Sequence, residues 1–325
     1  MRIAFLSEMG FYGKIPSTHI NMRTEFSWMC VLNADHFPVI NYNDVSGYDW
    51  VMLILPKGGV GLNNEGIRVS NEPNRFSQLY KLPFVQELKK KNKKIAYVQE
   101  GPTWYVNDFN LEDQFNFYNT LAEVDLVLSH NEYDKKWYKG WFPDKKVEVI
   151  PTLMIETLIK DIFRKTEDKS IIGGNFCRWY GGFQSYLVAQ EFEVPIWVQT
   201  SHASQPGEEQ VVNILPRIMW VDWIRTLSTF KYAVHMMPTV AAGTFSLNCA
   251  YFGIPCIGNK DVDTQRLCFP DLSVSSENVF DARKLAKMLK EEPEFYQTCS
   301  ELAKENYKKY FGIEQWKTFI NSVLT

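Results

Sequence analysis

A chain of 325 residues, 45% of them apolar and 22% charged, has room for two domains of ordinary size, each with its own core. The formal net charge of −3 does not favour a polyanionic partner, and no apolar run approaches the roughly 20 residues that a membrane span needs. The first apolar run, Met1–Leu6, is too short for a signal peptide, and six cysteines without paired spacing suit reduced thiols in a cytoplasmic protein better than a disulfide or metal framework.

In chain order, strands are expected at Arg2–Leu6, Phe37–Asn41, Trp50–Leu55, Lys94–Gln99, Leu126–Ser129 and Val147–Ile150. Helical spacing falls between them, near Ile20–Leu32, Phe76–Lys91, Leu111–Leu121 and Glu132–Trp141. Alternating helices and β-branched, buried-type strands predict a parallel sheet covered on both faces. The charged stretch 152–169 reads as a linker. A second alternation follows: strand Ser170–Asn175, helix 181–192, strand Pro195–Thr200, a short strand near Ile218, helix 222–230, strand 232–237, helix 244–252 and strand 254–258. From Asp281 the tail is helical, in at least two pieces parted near Gly312.

The expected organisation is therefore α/β: a Rossmann-like domain over 1–152, a second over 170–300, and a C-terminal helix over 301–325 packing back toward the first. Two Rossmann-like domains facing a central cleft, with a helical C-terminal tail, make the GT-B plan, which other two-domain α/β proteins share in outline. Ligands of such sheets bind beyond the carboxyl ends of the strands.

The stretch His235–Asn259 carries the most information. An apolar strand ends at Pro238; Gly243, Thr244 and Ser246 open a helix; Gly253 closes it; another strand follows. A helix whose first turn holds Gly, Thr and Ser offers backbone N–H groups and hydroxyls to an anion such as phosphate. The run Gly173-Gly174-Asn175-Phe176-Cys177-Arg178 also ends a strand in glycines, and Arg178 has the forked geometry that grips a diphosphate. Alone, this run is equally well a turn with a surface arginine; together the two elements suggest one phosphate site.

Glu100 closes the strand Lys94–Gln99 and precedes Gly101-Pro102-Thr103-Trp104, a suitable place for a general base whose pKa Trp104 and Tyr105 would raise by desolvation. Taken singly it reads more readily as a loop glutamate capping a nearby helix. The loop Tyr12–His19, with Lys14, Ser17 and His19, follows the first strand and offers contacts to sugar or acceptor, although a lone histidine near a helix start is more often a cap or surface residue. Asp261-Val262-Asp263 looks like a metal-binding pair, but its place after a Rossmann strand favours turn chemistry, with Thr264, Gln265 and Arg266 lining the site. His130, His202 and His235 lack metal-ligand spacing, so no metal is expected, though a divalent ion remains compatible with the chemistry. Lysines at 89–94, 135–136, 139 and 145–146, the later ones interleaved with Trp137, Tyr138 and Trp141, suit either phosphate contacts or simple solvation of helix ends.

In order and spacing these motifs resemble the DNA β-glucosyltransferases of T-even bacteriophages. The resemblance rests on Met1-Arg2-Ile3-Ala4 with Lys14-Ile15-Pro16-Ser17, Tyr48-Asp49-Trp50-Val51, Gly58-Gly59, Lys93–Tyr97 leading to Glu100, Gly173–Phe176 with Arg178, Thr244–Leu247, and Asp263-Thr264 with Arg266. It implies a GT-B enzyme, cytoplasmic and monomeric, that moves a sugar (glucose or arabinose) from a UDP-sugar to 5-hydroxymethylcytosine in double-stranded DNA, with inversion. It implies Glu100 as catalytic base where the family has an aspartate. Gly174, Arg178, Trp220, Gly243, Thr244, Ser246, Asn248 and Arg266 would bind the donor, and Lys14, Ser17, His19 and Trp104 the acceptor. His19 stands where the family has a glutamate, and Asn248 where GT-B enzymes commonly have one that grips ribose. Rival readings are a GT-B enzyme acting on a cell-envelope glycan, lipid or small metabolite, a retaining mechanism, and a non-catalytic nucleotide- or sugar-binding module.

Overall fold

The computed structural model describes residues 1–7, 11–16, 25–54, 82–199, 207–216 and 218–325. Gly58, Gly59, Thr200 and His202, and the beginnings of the helices expected from Ile20 and Phe76, lie outside these residues. The chain forms two compact units: the described residues up to Pro151 with Ile320–Thr325, and Thr152–Phe319.

The first unit holds seven strands: β1 (Ile3–Ser7), β2 (Gly13–Lys14), β3 (Asp35–Pro38), β4 (Trp50–Ile54), β5 (Lys94–Val98), β6 (Leu126–Ser129) and β7 (Val147–Val149). Their order is β2-β3-β1-β4-β5-β6-β7, with every pairing parallel except β2 on β3. All five residues of β1 and of β4 are buried, as a sheet covered on both faces requires. Helices α1 (Glu25–Val31), α2 (Leu82–Lys91), α3 (Leu111–Glu123) and α4 (Glu132–Trp141) connect the strands. Asn110 and Asn131 cap α3 and α4 by accepting from the backbone N–H of Asp113 and Asp134. The expected strand Phe37–Asn41 is shorter and earlier, because a 3₁₀ turn takes over at Val39.

The second unit is a wholly parallel sheet, β10-β9-β8-β11-β12-β13, built from β8 (Glu167–Ile172), β9 (Ile196–Gln199), β10 (Asn213–Leu215), β11 (Phe230–His235), β12 (Cys256–Asn259) and β13 (Ser273–Val274). The chain moves outward from β8 to β10, then returns to lay β11 on the other side of β8. That reversal is a topological switch point, where the loops leaving β8 and β11 diverge and leave a crevice.

Its helices are α5 (Gly182–Ala189), α6 (Glu208–Val211), α7 (Trp220–Leu227), α8 (Thr244–Phe252), α9 (Asp263–Cys268), α10 (Val279–Glu291), α11 (Pro293–Phe311) and α12 (Ile313–Leu324). The end of α12 belongs to the first unit, where the Leu324 carbonyl accepts from Trp50 Nε1 at 2.9 Å and that of Val323 from Lys146 Nζ at 2.7 Å.

Three local expectations are corrected here. Ile218 lies in the approach to α7 and not in a strand; the strand is β10, three residues earlier. The expected linker 152–169 gives its last residues to β8. Asp263 begins helix α9 rather than a turn, because Val262 stays extended before it and the Arg266 N–H bonds back to the Val262 carbonyl at 2.9 Å.

Candidate functional site

Two loops leave the sheet in opposite directions at the switch point of the second unit. The loop after β8 is tied to β11 by the Gly173 N–H on the Val234 carbonyl at 2.8 Å. Gly174 has φ +71° and Gly181 φ +66°, backbone that L side chains rarely adopt. Neither has room for one: a Cβ on Gly174 would meet the Tyr180 ring at 2.5 Å, and one on Gly181 would overlap the Met236 carbonyl. Arg178 is exposed, and its guanidinium lies 3.9 Å from the centre of the Trp179 ring. Ser185 of α5 accepts the Met236 N–H at 2.9 Å and so joins this loop to the end of β11.

Helix α8 starts and stops where the sequence places it. Gly243 (φ +74°) precedes it and Gly253 (φ +65°) follows. Ile254 N–H on the Cys249 carbonyl at 2.9 Å completes the glycine stop, and the Arg164 guanidinium covers the Gly253 carbonyl at 2.5 Å. At the other end no side chain caps the helix. The N–H groups of Thr244, Phe245 and Ser246 have no backbone acceptor among the described residues, the first bond being Leu247 N–H to the Gly243 carbonyl at 3.1 Å. These groups and the helix dipole create an anion-binding end.

The hydroxyls of this turn differ in their engagements. Thr244 is half-buried, 3.3 Å from the Thr152 hydroxyl. Ser246 is buried in a triangle with Thr264 Oγ1 (2.6 Å) and the Gly243 carbonyl (3.1 Å), which Thr264 also reaches at 2.8 Å. Its hydroxyl thus holds the Gly243 turn. Asn248, one turn on from Thr244, is 2% exposed, and its Oδ1 has no hydrogen-bond partner among the described residues. Arg266 pairs with Asp263 on its own helix at 3.0 Å. Trp220, first residue of α7, buries its side chain, leaving only its backbone for a ligand.

In the first unit Glu100 is half-buried just beyond β5, and its two flanks are tied to one buried carboxylate. Asp134 of α4 accepts from Gln99 Nε2 at 2.7 Å, Thr103 Oγ1 at 3.2 Å and Asn131 Nδ2 at 2.8 Å. Gln99 also donates to the Gly101 carbonyl at 2.6 Å and accepts the His130 N–H at 3.1 Å. Glu100 is therefore presented from a braced turn. Burial raises the pKa of the Tyr97 phenol beneath it, and the Glu100 and Asp134 carboxylates add to that rise.

Trp104 stacks on Tyr105 with ring centres 4.3 Å apart. Lys14 is paired with Asp35 at 3.1 Å. Ser17 and His19 lie outside the described residues.

The basic clusters are largely engaged with the protein itself. Lys89 serves the Glu123 carbonyl and Asp125, Lys93 pairs with Asp49, and Lys135 with Glu148. Lys139 binds the carbonyls of Pro143 and Lys145, and Lys145 those of Ala122 and Val124. They close helix ends and turns. Among the described residues no three His, Cys, Asp or Glu converge as a metal site, and no helix is long and apolar enough to cross a membrane.

No family model and no curated protein sequence matches the chain. Solved structures do. An alpha-glucosyltransferase in complex with UDP and a 13-mer DNA containing an HMU base aligns with 100% of this chain and 99% of its own, with TM-score 0.67 and 12% identity. Sucrose-phosphate synthase from Thermosynechococcus elongatus aligns over 99% and 98%, with TM-score 0.63 and 12% identity. Anabaena HepE, in complex with UDP and glucose, aligns over 100% and 99%, with TM-score 0.64 and 10% identity. The fold is GT-B.

In this GT-B chain every expected donor residue lies in the second unit. Gly174, Arg178, Gly243, Thr244, Ser246 and Asn248 gather around the ends of β8 and β11; Arg266 and Trp220 sit on neighbouring helices. Glu100, Trp104 and Lys14 lie in the first.

Sequence reasoning missed Asp134 and Gln99, whose network is invisible without the fold. It also passed over His235 except as a poor metal ligand. A polar residue ending the apolar strand Tyr232-Ala233-Val234 was the available signal.

Proposed function

We propose that the protein is a glycosyltransferase that moves a sugar from a UDP-sugar to a hydroxymethylated base, with 5-hydroxymethylcytosine in double-stranded DNA as the acceptor. The observation that carries this reading is the whole-chain fold match to an alpha-glucosyltransferase solved with UDP and modified DNA. The chemistry of the second unit supports it. The free first-turn N–H groups of α8, the Thr244 hydroxyl and the Arg178 fork suit a diphosphate. Asn248 Oδ1, a buried acceptor without a donor, suits a ribose hydroxyl.

In the proposed reaction Glu100 takes the proton of the base's hydroxymethyl group as its oxygen attacks C1 of the sugar. The bond from C1 to the β-phosphate oxygen breaks, and the helix N-terminus and Arg178 stabilise the charge that the departing UDP gathers. Attack opposite the leaving group inverts C1. The fold also serves an enzyme named for its alpha product, so the anomer is read from the product and not from the fold. A target base in duplex DNA leaves the stack to react.

Glu100→Gln is expected to lower transfer by at least about a hundredfold, with UDP affinity within about twofold of the parent, since the donor residues lie elsewhere. Unchanged turnover removes Glu100 as the base. The second reading, a glycan or metabolite acceptor, is favoured by the lysines' engagement with the chain's own carbonyls and by the match to sucrose-phosphate synthase. It predicts turnover that does not depend on DNA.

A further inference from the structure

His235 is the last residue of β11, at the switch point of the second unit, and is 7% exposed. Its Nε2 is wholly buried and has no hydrogen-bond partner among the described residues. Buried polar atoms are nearly always satisfied, and one left alone costs stability that an apolar side chain of similar shape would not. Burial also lowers its pKa to about 4, so the ring is neutral at physiological pH.

The surroundings say what would satisfy it. The imidazole meets the Phe245 ring edge-on, centres 5.2 Å apart, and Phe245 is the second residue of α8. The same Phe245 ring fills the space over Gly173, where a Cβ would overlap it. His235 therefore stands beside the uncapped helix end and the end of β8. Asn248 Oδ1 is a second partnerless buried atom on the same helix. A partnerless buried nitrogen beside an uncapped helix end suits a polar ligand.

We infer that His235 is a donor-binding residue, its Nε2–H donating a hydrogen bond to a phosphate oxygen of the nucleoside diphosphate held at the start of α8. This rests on the nucleotide reading above. A neutral imidazole donates to an anion without adding charge to a site whose helix N-terminus is already positive.

The inference predicts opposite effects on stability and on binding. His235→Leu and His235→Phe remove the partnerless atom; at least one raises the melting temperature of the ligand-free protein, and both weaken UDP binding about ten- to a hundredfold, the range for a hydrogen bond to a charged group. His235→Gln, which keeps a donor, recovers part of the UDP affinity. Uridine, lacking phosphate, binds all variants alike. Calorimetric titration with UDP and uridine, with thermal melts, reads each arm.

If folded Leu and Phe variants bind UDP within twofold of the parent, His235 is not a ligand and the inference fails while the nucleotide reading stands. If UDP and uridine weaken equally, the contact is not to phosphate and the inference likewise fails. If the parent protein itself binds no UDP, the nucleotide reading fails and takes the inference with it.

Discussion

His235 and His36 share one physical situation. Each is buried in a sheet, and burial lowers each pKa from 6.5 to about 4. His36 is kept neutral by burial, although it has two partners, Ser7 Oγ at 2.8 Å and the Phe11 carbonyl, the latter opposing the shift. Both rings bind a proton more weakly folded than unfolded, so the unfolded chain takes up protons first as the pH falls. The fold therefore loses no stability to their protonation above about pH 6.5, and loses it progressively through the window down to about pH 4. Melting temperature against pH should be flat from 8 to 7 and fall between 6 and 4. His36→Gln should flatten part of that fall; a profile unchanged by it, or level to pH 4, contradicts the assignment. Asp134 offers a second test at this scale. Thr103→Val deletes one bond of the brace beside Glu100 and should lower turnover several-fold with UDP affinity unchanged. In a Glu100→Gln background the same change should cost nothing further, because the brace acts only through Glu100.

Helix α8 shows what an element's sequence can and cannot reveal. Its bounds were legible to the residue, because Gly243 and Gly253 sit at the two positions where the backbone turns left-handed. Its orientation was not. Thr244, Ser246 and Asn248 all read as ligand-facing, yet Ser246 turns inward to Thr264, since seven of the nine residues are buried and α9 packs on that side. Helix α9 is not legible in the polar, short Asp261-Val262-Asp263; its buried Thr264 bonds to the Gly243 carbonyl, a contact that only the fold creates. Gly243→Ala tests the turn. It demands a left-handed alanine and drives a methyl into Thr264 Oγ1, with Val262 Cγ1 at 2.8 Å. A loss of about 2 kcal/mol or more is expected, read in denaturant unfolding, with UDP affinity falling in parallel. A variant as stable as the parent contradicts the role given to this turn.

At the scale of the molecule, alternating strands and helices were enough to predict two parallel sheets, and the sheet orders supply what alternation cannot: a strand reversal at β8 and β11 that concentrates Gly174, Arg178, the start of α8 and His235 at one place. Lys139 and Lys145 show the limit of reading surface charge from sequence. Their spacing among aromatics suited a nucleic acid, but each is drawn to carbonyls of its own chain, a preference set by turns that only the fold creates.

The acceptor is tested directly by its product. The protein is incubated with duplex DNA containing 5-hydroxymethylcytosine and a panel of UDP-sugars, and the digested nucleosides are weighed by mass spectrometry. The 5-hydroxymethyl-2′-deoxycytidine is expected to gain the mass of one sugar with at least one donor, and none with Glu100→Gln. No mass gain with any donor, alongside DNA-independent release of UDP from one of them, would contradict this reading.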